Sequence, residues 1–279
     1  MAEALILDTV TTSNTAGEGH DCPIEFTFRV CDFNNFDTNE TEVKSFPITP
    51  DEPVMPGAMV YSNVPKEING GDLVKSMTFL RKLLEKAKAN GMYIIAYDLD
   101  SFFRIINTTF DRLFVPDNGM VDVSNDTKLD PSKSFSIRSF AKAILPPTQV
   151  GTSYAAEAMT MHLAGRDVFK AQRSQFDEGA VTRSVYNQNM NSIILRKLVE
   201  MTAATSFKDV VEKVNNASET MFTFGKYSGR LVEDVFKSDY GYCLWCFRKQ
   251  ELMDANPGLQ RELARLMMAE KKEKFGGKK

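Results

Sequence analysis

The first residue that could do chemistry is an aspartate near the start of the chain. Asp8 follows three apolar residues, Leu5-Ile6-Leu7, and precedes a run of hydroxyl side chains that ends at Ser13. This pattern predicts a short buried strand that carries one carboxylate to its exposed end. A carboxylate in that position marks a candidate site.

A second candidate set lies in Phe224-Gly225-Lys226-Tyr227-Ser228-Gly229-Arg230. We expect the two glycines to bracket a tight turn that exposes Lys226, Tyr227 and Arg230 together. Two cations beside an aromatic ring suit a phosphate backbone with a stacked base. These three residues are therefore the candidate nucleic-acid-binding residues.

Two of the four cysteines form a Cys-x-x-Cys motif, at Cys243 and Cys246. Such a pair can be a redox centre or half of a zinc site. The large apolar residues around the motif, among them Trp245, favour core packing on a helix instead. We therefore expect both thiols and the Trp245 ring to lie in a small core.

The elements that must position these residues follow from hydrophobic periodicity. The segment 24–30 alternates apolar and polar residues as a half-buried strand does, and 92–97 is a continuous apolar strand of the kind buried on both faces. Apolar residues recur at intervals of three and four in two amphipathic helices, 73–88 and 101–114. Further expected elements are strands at 5–10 and 42–48 and helices over 135–145, 153–164, 185–202 and 207–216. This order predicts an α/β sheet.

Composition limits the function classes. The chain has 279 residues, of which 43% are hydrophobic and 25% charged, enough for one large domain and a small one. A net charge of -3 argues against a surface uniformly adapted to nucleic acid. From Phe222 to Lys279, however, twelve Lys or Arg face eight Asp or Glu, a net charge of about +4. We see neither a secretory signal nor a membrane-spanning run and expect a cytoplasmic protein without membrane partners.

In element order and in several motifs the chain resembles the DEDD-type 3'-5' exonucleases. The Asp8 strand is similar to their Asp-x-Glu-Thr-Thr-Gly motif, 94–102 to their Ala-His-Asn-x-x-Phe-Asp strand end, and 182–188 to their His-Arg-Ala-x-x-Asp-Ala helix. The segment from Phe222 looks like the start of the small domain appended to exonuclease X-like proteins. The resemblance implies an RNase H-like mixed sheet flanked by helices over 1–214, a linker at 215–219, and a small α+β nucleic-acid-binding module with a basic tail over 220–279.

The resemblance also implies four acids that hold two divalent cations, Mg²⁺ or Mn²⁺, and a His or Tyr that activates water. Asp8 matches the first acid. The remaining positions carry Val10 for the second acid, Phe102 for the third, Asn187 for the fourth and Thr182 for the base. Tyr186 does not replace the base, because it lies next to Asn187 rather than a turn earlier. We therefore expect a degenerate site with no metal cofactor, in which Asp8 is a relic.

An alternative register of the third motif remains open. Residues 107–114 match its letters better and would supply Asp111 as an acid. The motif should follow directly on a strand, which favours Phe102. A divergent, active exonuclease could still use Asp8 with Asp111 or Asp100 and Mg²⁺ or Mn²⁺.

The sequence thus predicts a non-catalytic exonuclease-like protein that binds DNA, as single strands or at ends, through Lys226, Tyr227 and Arg230. Its large domain would act as a scaffold or adaptor in DNA replication or repair, with a replication or transcription protein as a further partner. A protein adaptor that touches no nucleic acid is the third hypothesis.

Overall fold

The computed structural model describes residues 3–12, 21–37, 41–56, 58–59, 68–114, 129–145, 153–222, 224–254 and 256–276, without the side chains of 217–220, 257 and 271–276. The chain divides into two compact units. Met1–Arg138 with Ala155–Phe207 form the sheet unit, and Ser139–Tyr154 with Lys208–Lys279 form the helical unit.

Five strands build the sheet unit: β1 (Ala4–Thr11), β2 (Pro23–Cys31), β3 (Lys44–Pro47), β4 (Tyr93–Ala96) and β5 (Ser134–Ser136). They form one sheet in the order β3-β2-β1-β4-β5. β1 pairs antiparallel with β2 and parallel with β4, and the outer pairs β2·β3 and β4·β5 are antiparallel and parallel, respectively. The predicted mixed sheet is confirmed, with the Asp8 strand at its centre.

The helices, in chain order, are α1 (Leu73–Ala89), α2 (Leu99–Phe114), α3 (Ile137–Ile144), α4 (Ala156–Ala164), α5 (Arg166–Asp177), α6 (Arg183–Thr202), α7 (Phe207–Thr220), α8 (Val232–Ser238), α9 (Tyr240–Arg248), α10 (Gln250–Asp254) and α11 (Pro257–Gly276). The segment 215–219, predicted as a linker, lies inside α7. No helix among the described residues is long and apolar enough to cross a membrane.

One face of the central strands carries the apolar core of the sheet unit. Leu5 and Leu7 of β1 lie on this face, and Phe26 and Phe28 of β2 continue it. The apolar stripes of α1 and α2 pack against these side chains, as their periodicity of three and four predicts. Full burial of each such side chain stabilises the folded state by about 1.5–3 kcal/mol.

The opposite face of β2 is polar and nevertheless buried. The alternation predicts a solvent-exposed face for Glu25, Thr27 and Arg29, but their exposed fractions are 8%, 0% and 6%. Helix α6 covers them with a stripe of buried polar residues spaced four apart, Ser184, Gln188 and Ser192. The prediction of a half-buried strand is therefore wrong, because a polar helix face supplies the partners that solvent would otherwise provide.

A separate apolar core holds the helical unit together. It contains Phe222, residues of α8 to α11, and both cysteines of the Cys-x-x-Cys motif. Cys243 and Cys246 are free thiols with no exposed surface. Core packing on a helix is thus confirmed for the motif. The β structure among the described residues of this unit is one antiparallel bridge, Met221↔Leu231.

Candidate functional site

The first candidate site forms where α6 begins, against the polar face of β1 and β2. The Thr182 hydroxyl accepts a hydrogen bond from the Val185 amide at 3.4 Å and so caps the N-terminus of α6. This cap directs the first two turns of the helix toward the end of β1. Ser184 and Asn187 project from these turns.

Asp8 lies beneath the two projecting side chains. Its Oδ2 atom accepts hydrogen bonds from Asn187 Nδ2 at 3.1 Å and from the Ser184 hydroxyl at 3.2 Å. The Thr27 and Ser184 hydroxyl oxygens are 2.8 Å apart. A chain of hydroxyl and amide donors therefore faces one oxygen of the carboxylate.

Glu25 supplies a second carboxylate, which the sequence argument did not identify. Its Oε1 accepts hydrogen bonds from the Thr182 and Ser45 hydroxyls, each at 2.5 Å, and its Oε2 accepts one from the Ser184 amide at 3.3 Å. In the β1·β2 register its Cα is the direct partner of Val10. A carboxylate thus lies beside Val10, on the neighbouring strand, although β1 itself has no acid at that position.

The environment changes the acidity of Asp8. Burial raises its pKa to about 7, and the charge of Glu25 adds to that shift. The hydrogen bonds from Asn187 and Ser184 and the charge of Arg183 lower the pKa but do not offset burial. Asp8 can therefore hold or release a proton near neutral pH, as general acids and bases do.

The second candidate site is the predicted glycine turn. Gly225 and Gly229 have φ angles of +66° and +84°, which confirms that the turn needs glycine at both ends. A Cβ on Gly225 would also collide with the Tyr242 hydroxyl.

One carboxylate ties the turn together. Asp239 Oδ2 accepts a hydrogen bond from the Tyr227 hydroxyl at 2.7 Å and forms an ion pair with Lys226 Nζ at 2.9 Å. These contacts, together with the Tyr242 amide that Asp239 caps, lower the pKa of Asp239 to about 2. Arg230 is exposed, with its guanidinium 5.5 Å from the centre of the Tyr227 ring. The structure thus brings the three predicted residues together, and it gives Lys226 a structural partner. The lysine side chains of the predicted basic tail, 271–279, lie outside the described side chains.

Trp245 is not in the core, contrary to the prediction. Its exposed fraction is 51%, although Cys243 and Cys246 on the same helix are fully buried. The small thiols fill the inward face of α9, and the indole stacks on Tyr242 with ring centres 5.8 Å apart.

Solved structures of exonuclease I have a similar fold. E. coli exonuclease I in complex with a dT13 oligonucleotide matches with a TM-score of 0.51 and 15% sequence identity, over 72% of this chain and 41% of that one. Another exonuclease I structure matches with a TM-score of 0.53 and 14% identity, over 76% and 43% of the two chains. The zinc-bound E. coli exonuclease I in complex with single-stranded DNA matches with a TM-score of 0.52 and 16% identity, over 72% and 41%. The chain spans less than half the length of these exonucleases. The chain has an RNase H-like fold similar to that of these exonucleases.

The helical unit gives an independent match. Residues 222–251 fit the exodeoxyribonuclease X-like C-terminal family. This range contains the glycine turn, Asp239 and Trp245. No curated protein sequence matches the chain.

Within this exonuclease-like fold, two of the predicted acid positions are apolar and buried. Val10 has an exposed fraction of 6% and packs with Ile24 and Ala58. Phe102 has an exposed fraction of 4% and belongs to the apolar core, where its ring meets Phe103 edge to face. Neither side chain has an atom that can bind a cation.

The alternative acids lie on α2. Asp111 is exposed. It lies twelve residues after the first residue of α2, which places it about 18 Å along the helix axis. Asp100 is exposed in the first turn. In the described part of the chain, neither forms a hydrogen bond with Asp8 or Glu25.

The donor set does not match what two divalent cations require. Several carboxylate oxygens must face both ions, whereas the described residues bring only Asp8 and Glu25 to the start of α6, each hydrogen-bonded to hydroxyl or amide donors. Among the described residues, no group of three or more His, Cys, Asp or Glu side chains could hold a metal ion.

Proposed function

We propose that the protein is a pseudoenzyme: a non-catalytic, exonuclease-like protein that binds single-stranded DNA or DNA ends. Residues 220–279 would form the binding module, through Lys226, Tyr227 and Arg230. Residues 1–214 would serve as a scaffold or adaptor in DNA replication or repair in the cytoplasm, with a replication or transcription protein as partner.

The observation that carries the proposal is the pairing of Asp8 with Asn187. An amide that donates to the one matching acid occupies the position of the fourth acid. An amide has far lower affinity than a carboxylate for a hard divalent cation. Val10 and Phe102 are apolar and buried as well, so neither can supply a ligand for two-metal hydrolysis, which supports the proposal.

Binding to DNA is supported by the second site. Lys226 and Arg230 are exposed beside the Tyr227 ring, and both cations lie within 5.5 Å of its centre. E. coli exonuclease I, whose fold this chain shares, was solved with a dT13 oligonucleotide, which favours single-stranded DNA as the first ligand to test.

Fluorescence anisotropy with a labelled oligonucleotide tests the proposal. We expect binding that weakens as salt rises, and about tenfold weaker binding when Lys226→Ala and Arg230→Ala are combined. Lys237→Ala is the control, because Lys237 is another exposed lysine, in an i,i+4 pair with Glu233. Absence of salt-sensitive binding to any DNA or RNA would refute the proposal.

Glu25 supports one alternative, an active divergent 3'-5' exonuclease. Its carboxylate faces the same site as Asp8 and lies opposite Val10. This alternative predicts release of nucleotides from a labelled single strand with Mg²⁺ or Mn²⁺, abolished by Asp8→Asn and by Glu25→Gln. No metal-dependent digestion at high protein concentration would exclude it.

A further inference from the structure

A groove lies at the junction of α9 and α10 in the helical unit. Its volume is about 610 Å³, and it is lined by Trp245, Arg248, Lys249, Gln250, Glu251 and Leu252. None of these residues binds the Asp239 carboxylate, whose partners are Lys226, Tyr227 and Tyr242.

The groove contains an aromatic ring that the core does not use. About half of the Trp245 side chain is exposed, and its stacking on Tyr242 holds the ring in place. Tryptophan is highly buried on average, and it is enriched at interfaces, where its ring is partly exposed. Lys249 Nζ lies 6.0 Å from the centre of the indole ring, near the limit of a cation–π contact.

The charge of the groove suits an anion. Arg248 and Lys249 are both exposed, and neither forms an ion pair with another described residue. Glu251 also lines the groove, so its net charge is +1. An exposed ring flanked by cations is the arrangement with which proteins bind single-stranded nucleic acids, because the ring stacks on a base and the cations meet the phosphates.

We propose that this groove binds one unpaired base of a single-stranded nucleic acid, with the base stacked on Trp245 and its flanking phosphates near Arg248 and Lys249. The inference rests on the proposed function and names its ligand class. Inside a duplex both faces of each base are already covered by neighbouring bases, so only an unstacked base or a base at a strand end can stack on the indole. Stacking of this kind tolerates any base, so we expect little sequence preference.

The chain allows a direct test because Trp245 is its single tryptophan. Tryptophan fluorescence of the full chain, excited at a wavelength that the tyrosines do not absorb, therefore reports on the groove. The ligands are oligo(dT) of about ten nucleotides, an abasic oligomer with the same number of phosphates, and a duplex long enough that its terminal base pairs are a small fraction of the total. We expect oligo(dT) to quench the fluorescence and to bind about tenfold tighter than the abasic oligomer.

Two variants separate stacking from charge. Trp245→Leu should weaken binding of oligo(dT) about tenfold and leave binding of the abasic oligomer unchanged, as measured by anisotropy. Tyr240→Leu is the matched control, since Tyr240 is another exposed aromatic residue of α9 but packs on Phe236. It should change neither affinity.

The outcomes distinguish this inference from the proposed function. If no oligomer binds, the proposed function fails and the inference with it. If oligo(dT) binds without quenching, or binds no tighter than the abasic oligomer, the protein binds nucleic acid elsewhere and the inference alone is overturned. The inference alone is also overturned if the duplex, and not oligo(dT), quenches the tryptophan fluorescence. The quenching measurement uses the unaltered chain, so it decides the question even if Trp245→Leu does not fold.

Discussion

Asp8 should titrate near neutral pH in the folded protein, and its neutral variant should remove that titration. Burial raises the pKa of Asp8 from 3.8 to about 7. Because the folded pKa exceeds the unfolded one, the protonated carboxyl group stabilises the fold below about pH 4, and this contribution is lost as the pH rises through 7. Three pH units correspond to about 4 kcal/mol.

The measurement compares the wild type with Asp8→Asn by urea unfolding, followed by far-UV circular dichroism between pH 4 and pH 8. An amide mimics the protonated acid, so the two proteins should be about equally stable at pH 4. At pH 8 the variant should be more stable by about 4 kcal/mol. The comparison isolates Asp8, because every other titrating group is common to both proteins.

The midpoint itself can be read from the carboxyl ¹³C resonance that Asp8→Asn removes. Glu25→Gln should lower the midpoint, because it removes a nearby negative charge. Asn187→Ala should raise it, because it removes a hydrogen bond that favours the carboxylate. A midpoint below about pH 5 in the wild type, or shifts of the opposite sign, would refute this account of the site.

Three further predictions concern packing. Phe102→Asp places an acid in the apolar core and should lower the free energy of unfolding by about 4 kcal/mol. Asp111→Asn, on the exposed side of the same helix, should change it by no more than about 0.5 kcal/mol. Equal losses in urea unfolding would contradict the assignment of Phe102 to the core. Gly225→Ala should lower the free energy of unfolding by more than the roughly 1 kcal/mol expected for a left-handed alanine, because its Cβ meets the Tyr242 hydroxyl. Gly91→Ala is the control, since Gly91 has φ +63° and nothing lies within 4 Å of its Cβ position. Equal shifts in thermal midpoint would show that the contact with Tyr242 adds nothing. The four buried thiols should resist Ellman's reagent at pH 8 until the protein unfolds, since burial raises the pKa of Cys243 to about 11; rapid reaction of the folded chain would show that they are accessible.

Hydrophobic periodicity predicted the elements that rest on an apolar face. The helix expected over 73–88 is observed at Leu73–Ala89 and that over 101–114 at Leu99–Phe114. The elements that were not predicted include two without such a signal. β5 is three residues long, Ser134–Ser136, and α5 (Arg166–Asp177) is mostly polar. The predicted loop at 119–133 lies largely outside the described residues.

The candidate site was predicted only in part, because its partners come from distant segments. Asp8, Asn187 and Thr182 were named from their motifs, and the structure brings them together through Ser184 and Glu25. Polar residues repeat every four positions along α6. This repeat was the sequence signal from which burial of the polar face of β2 could have been predicted. Trp245 could not be placed from its apolar neighbours, since composition does not tell which side of a helix faces the core. The domain boundary at 214/220 stays a prediction.

The two carboxylates at the start of α6 also bear on how the chain reaches its folded state. Their neighbours are hydroxyls and an amide that the chain itself carries, so assembly of this region need not wait for ions from its surroundings. A site built to close around two divalent cations would gain stability with each ion bound. Here the thermal midpoint should be the same in EDTA as in millimolar Mg²⁺, which would let the sheet unit persist where free divalent cations are scarce.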